Sequence, residues 1–582
     1  MTETTAGLAG GVREMGLMRA WGWAVGICAV FFLAVAPTLS WLEFSGGSEN
    51  LNVATVLEMH RGGPWVVPTL KERPRLAKPP LTAWTTAAFV SAETVRQLDS
   101  TDARVRDAAY RQLAWEVRWP ALLLCCITML GVFEMTRVLA GPRAGLVAMV
   151  FFAGALMTLR FGRAATTDVQ LMAWVTWAIV GLLHAGVRGR WWTGCAVAGI
   201  CLGLAFMAKG PVAFVQAVAP VVVARLMLRG TGLPRVKVWP VLLCVLLTAT
   251  VGLPWYLLQF HQHGWAVMDL WKVEVLREGA TDLPRDPIWS YLSFFLLMMP
   301  WAPLLIMGLV EAVEAWRKKT AEMRSLVMLG CMVLVPLVIM SCFKDKNERY
   351  TLPVTSAACA LMAAATLPVL LAAMARTAGG WRRVVVDVTF ALPVGVAIVL
   401  AVCGALGGEA GRVLTLLRAD GQPWHSPLVA VLAATAALAV TLLGHTMRYE
   451  TVLARPLAGF VAMLIAGALF VHGYSHDARG LAEFRTTAFH LRDTHGARPL
   501  YSLQNPADRI FHDLNIYLNR VVREVKTIEE VPAEALLIQI RRTSANPFVP
   551  PDGWEMLETR VVGKRTVYLA QRAGISVTSS DD

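Results

Sequence analysis

Charge is scarce in this chain. Asp, Glu, Lys and Arg make up 16% of the residues against 56% apolar ones. Long apolar runs recur along most of the length, more than one soluble core could bury, so an ordinary soluble protein is excluded and the class is membrane-spanning. The net charge of +13 does not argue for nucleic acid, because Lys and Arg gather in the short loops between apolar runs, as in cytoplasmic loops. No cysteine lies in the polar C-terminal region, and no C-x-x-C or Cys/His metal spacing occurs; the cysteines read as small apolar packing residues. There is no internal repeat and no low-complexity tract beyond the mostly polar end Ser576–Asp582. No small-residue cleavage site accompanies the first apolar run, Trp21–Trp41, which therefore reads as an uncleaved span.

Further spans are expected at Val117–Val138, Ala144–Leu159, Thr167–Val187, Trp191–Met207, Pro211–Met227, Val238–Leu257 and Pro287–Val310. Ser325–Phe343, Tyr350–Leu371, Val384–Leu406, Ser426–Leu443 and Leu457–Val471 complete the set. Pro79–Ala92 is apolar but short, and treating it as an interfacial helix begun by Pro79-Pro80 puts the Arg-rich short loops on one side. The count is then about thirteen spans, with residues 1–19 cytoplasmic, a membrane domain over 20–473 and an outer α/β domain over 474–582. In that last region strands are expected at Pro499–Leu503, Ala535–Ile540 and Arg565–Ala570, and a helix over Asp508–Asn519. The expected location is a cell membrane, crossed many times, with the N-terminus inside and the C-terminal region outside.

The first outer loop, about 43–116, is long and patterned, which marks a functional loop rather than a connector. It carries Ser48-Glu49-Asn50, then Gly63-Pro64-Trp65-Val66-Val67-Pro68, then Lys78-Pro79-Pro80. Glu49 opens an amphipathic helix, where helix capping is an equal explanation. Asp168 heads a span after Thr166-Thr167; an acid at a membrane edge is a functional candidate, with capping the alternative. Lys209, in Ala208-Lys209-Gly210-Pro211, stands on the outer side against the usual orientation bias; phosphate binding or snorkelling explains it. Lys344, Lys346, Arg349 and Tyr350 form a second outer cationic cluster suited to a phosphate, or else an exposed loop balanced by Asp345 and Glu348. Glu274 and Arg277 lie in an amphipathic loop, and His261/His263 form a weak metal spacing. Acids and cations on one outer surface suit a lipid-anchored phosphate substrate: cations hold the leaving phosphate, and an acid deprotonates an acceptor or holds a metal.

With these motifs in order, the chain resembles the protein-O-mannosyltransferase and aminoarabinose-transferase group of membrane glycosyltransferases, which have the C-type fold. The matching residues are Ser48-Glu49, Gly63 to Pro68, Lys78-Pro79-Pro80 with Trp84, Thr167-Asp168, Lys209-Gly210-Pro211, Pro254-Trp255-Tyr256, and Lys346 with Tyr350 and Pro353. The resemblance implies inverting sugar transfer from a polyprenyl-phosphate donor to a lipid, glycan or protein acceptor at the outer face. It implies Glu49 and Asp168 as catalytic acids, and Lys78, Lys209, Arg277, Lys346, Arg349 and Tyr350 as the donor-phosphate site. A divalent metal is left open, with Glu49 and Asp168 the carboxylates that could hold it. The chain departs from the group's pattern at Ser48 (an Asp there), Leu51-Asn52 (Arg-Tyr), Ala77 (an acid) and Val275 (His). A non-catalytic lipid-phosphate binder is therefore one alternative. A secondary transporter is the other, set against by polar residues at span ends and by the lack of inverted repeats.

Overall fold

The computed structural model describes residues 15–44, 47–276, 286–343, 346–374, 380–392, 481–496, 498–503, 516–543, 546–562 and 565–574, with a few positions between 456 and 464. Arg277, Lys344, the N-terminal segment 1–14, the expected span Ser426–Leu443 and most of Val384–Leu406 and Leu457–Val471 lie outside these residues, as does most of Asp508–Asn519.

Among the described residues, six helices are long and apolar enough to cross a membrane, or up to eight if each of two bent pairs is one span. The chain is thus a polytopic helical membrane protein. Leu17–Val35, Thr167–Gly186, Trp191–Lys209, Met323–Ser341 and Val354–Met374 fall where apolar runs predict them. The segment after Pro79-Pro80 folds as two short helices, Leu81–Ala87 and Ala92–Gln97, far below the roughly 20 residues a span needs. The first loop ends earlier than expected. Its last part is the start of a 38-residue helix, Ala103–Ala140, whose polar first turns continue into the apolar run.

Three expected straight spans are broken; in one, Val238–Gly252 and Pro254–His263 meet at 52°. The other two break where they touch each other. Pro142–Gly154 ends at Ala155 and restarts as Leu156–Phe161. Ile288–Leu297 and Ala302–Lys318 meet at 116°. Pro300 cannot supply the amide that a continuous helix would need. The two breaks face each other: the Leu156 amide donates to the Met299 carbonyl at 3.0 Å. Trp301, fully buried, fills the space beside Gly154. Backbone freed by a break in an apolar bundle must be satisfied by protein in this way.

The hairpin that carries the site is set by glycine. A Cβ on Gly181 would lie 2.6 Å from the Gly194 carbonyl, so Thr167–Gly186 and Trp191–Lys209 approach more closely than side chains would allow. This antiparallel pair brings Asp168, at the start of one helix, level with Lys209, at the end of the other. At the opposite end of these helices, Glu134 accepts from Arg137 at 2.6 Å and pairs with His184 at 2.7 Å.

Near the first loop, β1 (Thr69–Leu70) and β2 (Arg73–Pro74) form a short hairpin. The C-terminal region holds the helix Leu481–His495 and five strands: β3 (Leu500–Leu503), β4 (Val522–Val525), β5 (Leu536–Arg542), β6 (Trp554–Val562) and β7 (Arg565–Arg572). Their order is β4-β3-β5-β7-β6, with β3 parallel to β4 and β5 and the remaining pairs antiparallel. This α/β unit shares a hydrophobic cluster with the first loop. Val53, Leu57 and Tyr110 belong to the same cluster as Tyr517, Leu536 and Leu569.

Candidate functional site

The two acids singled out above keep different company, although Glu49 reaches the backbone of Ala165, three positions before Asp168. Glu49 lies in the first turn of Gly47–His60. Its carboxylate does not cap its own helix; it takes the fork of Arg118, at 2.9 Å from Nε and 2.8 Å from Nη2. The Ala165 amide donates to the same carboxylate at 3.0 Å. Arg118 also donates to the carbonyls of Leu39 (2.8 Å), Leu42 (2.6 Å) and Glu43 (3.2 Å), so every N–H of the guanidinium is used. Both side chains are buried. Burial by itself would raise the Glu49 carboxyl, but the charge and hydrogen bonds of Arg118, with the Ala165 amide, hold it below the usual carboxylate range.

Asp168 is also buried, yet its partners are cations at the rim. Lys209 Nζ pairs with Oδ1, and Arg349 Nε lies 3.2 Å from Oδ2. The N-cap residue Thr166 makes no side-chain cap bond, so the Thr-Thr-Asp run is not serving as a cap box. Lys209 sits just before Gly210, whose φ of 71° suits the tight turn glycine allows. The Lys209 ammonium also lies 3.8 Å from the Tyr350 ring centroid, a cation–π contact. Arg349 and Tyr350 are presented by a short 3-10 turn, Glu348–Thr351, where the Asn347 side chain accepts from the Arg349 amide at 3.2 Å. Gln216 fixes the turn by donating to the Tyr350 carbonyl at 2.9 Å.

The other expected residues are placed around this knot. Lys78 leads into Leu81–Ala87, which is tied to the Asp168 helix where Gln170 donates to Thr85 at 2.6 Å. Asn52 donates to Thr86 (2.9 Å) and to the Ala165 carbonyl (3.1 Å), binding the first-loop helices to the segment before Asp168. Lys346 turns instead toward Asp286, donating to its carbonyl at 2.9 Å and to Phe343 O at 2.8 Å. The structure thus gathers Asp168, Lys209, Arg349 and Tyr350, and sets Glu49 and Lys346 in separate clasps. Arg118, Asn52 and Gln170 were not singled out from sequence. An arginine at the head of an apolar run was the available signal for Arg118.

The two carboxylates named as candidate metal ligands are engaged by cations in this structure, Glu49 by Arg118 and Asp168 by Lys209 and Arg349, and Ala77 offers no ligand atom. Among the described residues no three His, Cys, Asp or Glu side chains gather in a metal-binding arrangement.

Residues 110–256 match the family model described as dolichyl-phosphate-mannose-protein mannosyltransferase. The undecaprenyl phosphate-alpha-4-amino-4-deoxy-L-arabinose arabinosyl transferase of Edwardsiella ictaluri is 30% identical over 42% of this chain and 45% of its own length. A second transferase of this name, from Pseudomonas fluorescens, is 26% identical over 51% of each chain. Over these stretches the chain is similar to proteins of the protein-mannosyltransferase and aminoarabinose-transferase type. It spans about half the length of the curated relatives it matches. In fold, it matches the crystal structure of ArnT from Cupriavidus metallidurans in the apo state, with a TM-score of 0.66 at 18% identity over 94% of this chain and 98% of that one. The undecaprenyl phosphate-bound form of that protein matches at TM-score 0.64 and 19% identity, over 95% and 98%.

Proposed function

We propose that this protein is a glycosyltransferase that moves a sugar from a polyprenyl-phosphate donor to a lipid, glycan or protein acceptor at the outer face of a bacterial inner membrane. The observation that carries the reading is the buried Asp168 carboxylate held between Lys209 and Arg349, with Tyr350 beneath the ammonium. Two cations and an acid in contact supply both ends of a transfer reaction. The donor phosphate draws Lys209 and Arg349 onto its oxygens, which frees the Asp168 carboxylate to accept a proton. The acceptor oxygen attacks the anomeric carbon as Asp168 takes its hydrogen. The bond from that carbon to the phosphate oxygen breaks, and the lipid phosphate leaves with the electron pair, its growing charge met by the two cations. Attack opposite the leaving group inverts the anomeric centre. Lys78 completes the phosphate site from the first loop. Glu49, closed by Arg118, positions the segment before Asp168 rather than taking a proton.

The test is turnover by purified protein in lipid nanodiscs against a panel of radiolabelled polyprenyl-phosphate sugars, read as release of free polyprenyl phosphate. Transfer that depends on Asp168 and Lys209 supports the reading. Tight donor binding with no release for any sugar supports instead a lipid-phosphate binder, the reading favoured by Ser48 and Ala77.

A further inference from the structure

A line of polar contacts, part-exposed at its outer end and buried at its inner end, runs from the C-terminal α/β unit to the segment just before Asp168. It begins at Arg485, whose Nη1 lies 2.7 Å from Glu43 Oε1. The other Glu43 oxygen accepts from the Tyr517 hydroxyl at 2.5 Å, and that hydroxyl accepts from the Phe44 amide at 2.9 Å. Phe44 is buried between the Tyr517 ring, 6.3 Å away, and the Arg118 guanidinium, 4.9 Å from its centroid. The Glu43 carbonyl accepts from Arg118, and Arg118 grips Glu49. Glu49 accepts from the Ala165 amide, three residues before Asp168.

The inner links, through Tyr517, Phe44, Arg118 and Glu49, are buried groups that are costly to release once paired. Other contacts of the same interface differ in exposure or in where they lead. Arg523–Glu72 is a half-exposed pair, Arg106 meets an exposed Asp493, and Lys71, ion-paired with Glu524, is tied by its amide to Glu58 at the far end of the Gly47–His60 helix. The Glu43 path is the one that reaches Arg118 and Glu49 among the described residues. Tyr110, which donates to the Ile516 carbonyl at 2.8 Å, buttresses the Tyr517 end of the path.

We propose that Glu43, Tyr517 and Arg485 are positioning residues through which the C-terminal unit sets the geometry of the Asp168 site. This rests on the transfer reaction proposed above, and it assigns the C-terminal unit a part in turnover beyond anchoring. Because small misplacements at a reacting centre are expensive, the effect belongs in kcat rather than in donor binding.

The experiment compares Tyr517→Phe and Glu43→Gln with the interface control Arg523→Gln, in full-length protein in nanodiscs. Two readouts are taken: steady-state kcat and donor KM, and hydrogen–deuterium exchange of the peptide spanning Ala165. For the relay variants the expected result is a fall in kcat of about ten- to a hundredfold with donor KM within about twofold. Exchange at Ala165 is faster in both, Arg485→Lys retains most of kcat, and Arg523→Gln changes neither readout. Unchanged kcat and unchanged Ala165 exchange in Tyr517→Phe and Glu43→Gln overturn the relay. If the wild type itself releases no polyprenyl phosphate, the transfer reading fails, and the exchange measurement still decides whether the C-terminal unit is coupled to Ala165.

Discussion

Glu49 and Asp168 stand on neighbouring segments at one end of the bundle, and each is buried against arginine or lysine. The difference lies in what surrounds the pair. Around Glu49 a rigid guanidinium uses all its hydrogens, two of them on the carboxylate, and a backbone amide donates to the same carboxylate oxygen as Arg118 Nε. Around Asp168 the partners are a lysine and an arginine whose side chains reach the surface, 12% and 27% exposed, beside an aromatic ring. A closed pair stabilises a fold; an open one can trade partners with a ligand. On the transfer reaction proposed above, the comparison assigns Glu49 a structural part and Asp168 the reactive one, where motif order alone would treat them alike.

The largest expected effect breaks the open pair. Asp168→Asn lowers sugar transfer by about 10²–10⁴-fold, the range general-base loss produces, while the folded yield stays near wild type. Breaking the closed pair acts on stability instead. Glu49→Gln leaves Arg118 buried without its counter-charge and costs about 3–5 kcal/mol in an equilibrium unfolding measurement in bicelles; adding Arg118→Gln recovers part of the loss. A smaller change sharpens the contrast at the rim. Lys209→Gln raises donor KM by about tenfold, seen by titrating the donor at fixed acceptor.

Acid pH tests the Glu49 pair in a second way. The folded-state Glu49 carboxyl lies below its unfolded value of about 4.3, so its stabilisation is complete above that pH and is lost as pH falls through the folded value. The thermal midpoint of wild type should therefore drop in acid, and Glu49→Gln should flatten that part of the profile. The smallest effect is expected at Arg160–Glu348, an exposed pair at 3.1 Å beside the site. Arg160→Gln should change stability by less than about 1 kcal/mol and leave transfer within about twofold.

Much of this arrangement was legible in the residues. The apolar runs and their polar ends placed the Thr167–Gly186 and Trp191–Lys209 helices, and so put Asp168 and Lys209 at the same end. The short segment after Pro79-Pro80 was read as unable to span, and it folds as two short helices. What was not legible depends on long-range pairing. Nothing local ties Arg118 to Glu49, 69 positions apart, or Glu43 to Tyr517, 474 apart. The breaks at Ala155 and Met299 are visible only when the two helices meet and satisfy each other's backbone. The strand β6 alternates buried and exposed positions, but its Glu, Thr and Arg content masked it, and β4 is too short for alternation to register. The cap explanations for Glu49 and Asp168 could not be separated from chemistry until the carboxylates' partners were known.

The central claim is that the two acids do different work, and it is tested most directly by measuring turnover per folded molecule for Asp168→Asn and Glu49→Gln side by side in nanodiscs. The account predicts that Asp168→Asn is stably folded and nearly inactive, whereas Glu49→Gln is markedly less stable and its folded fraction retains more transfer than Asp168→Asn. A Glu49→Gln protein that folds as well as wild type and is as inactive as Asp168→Asn would contradict it.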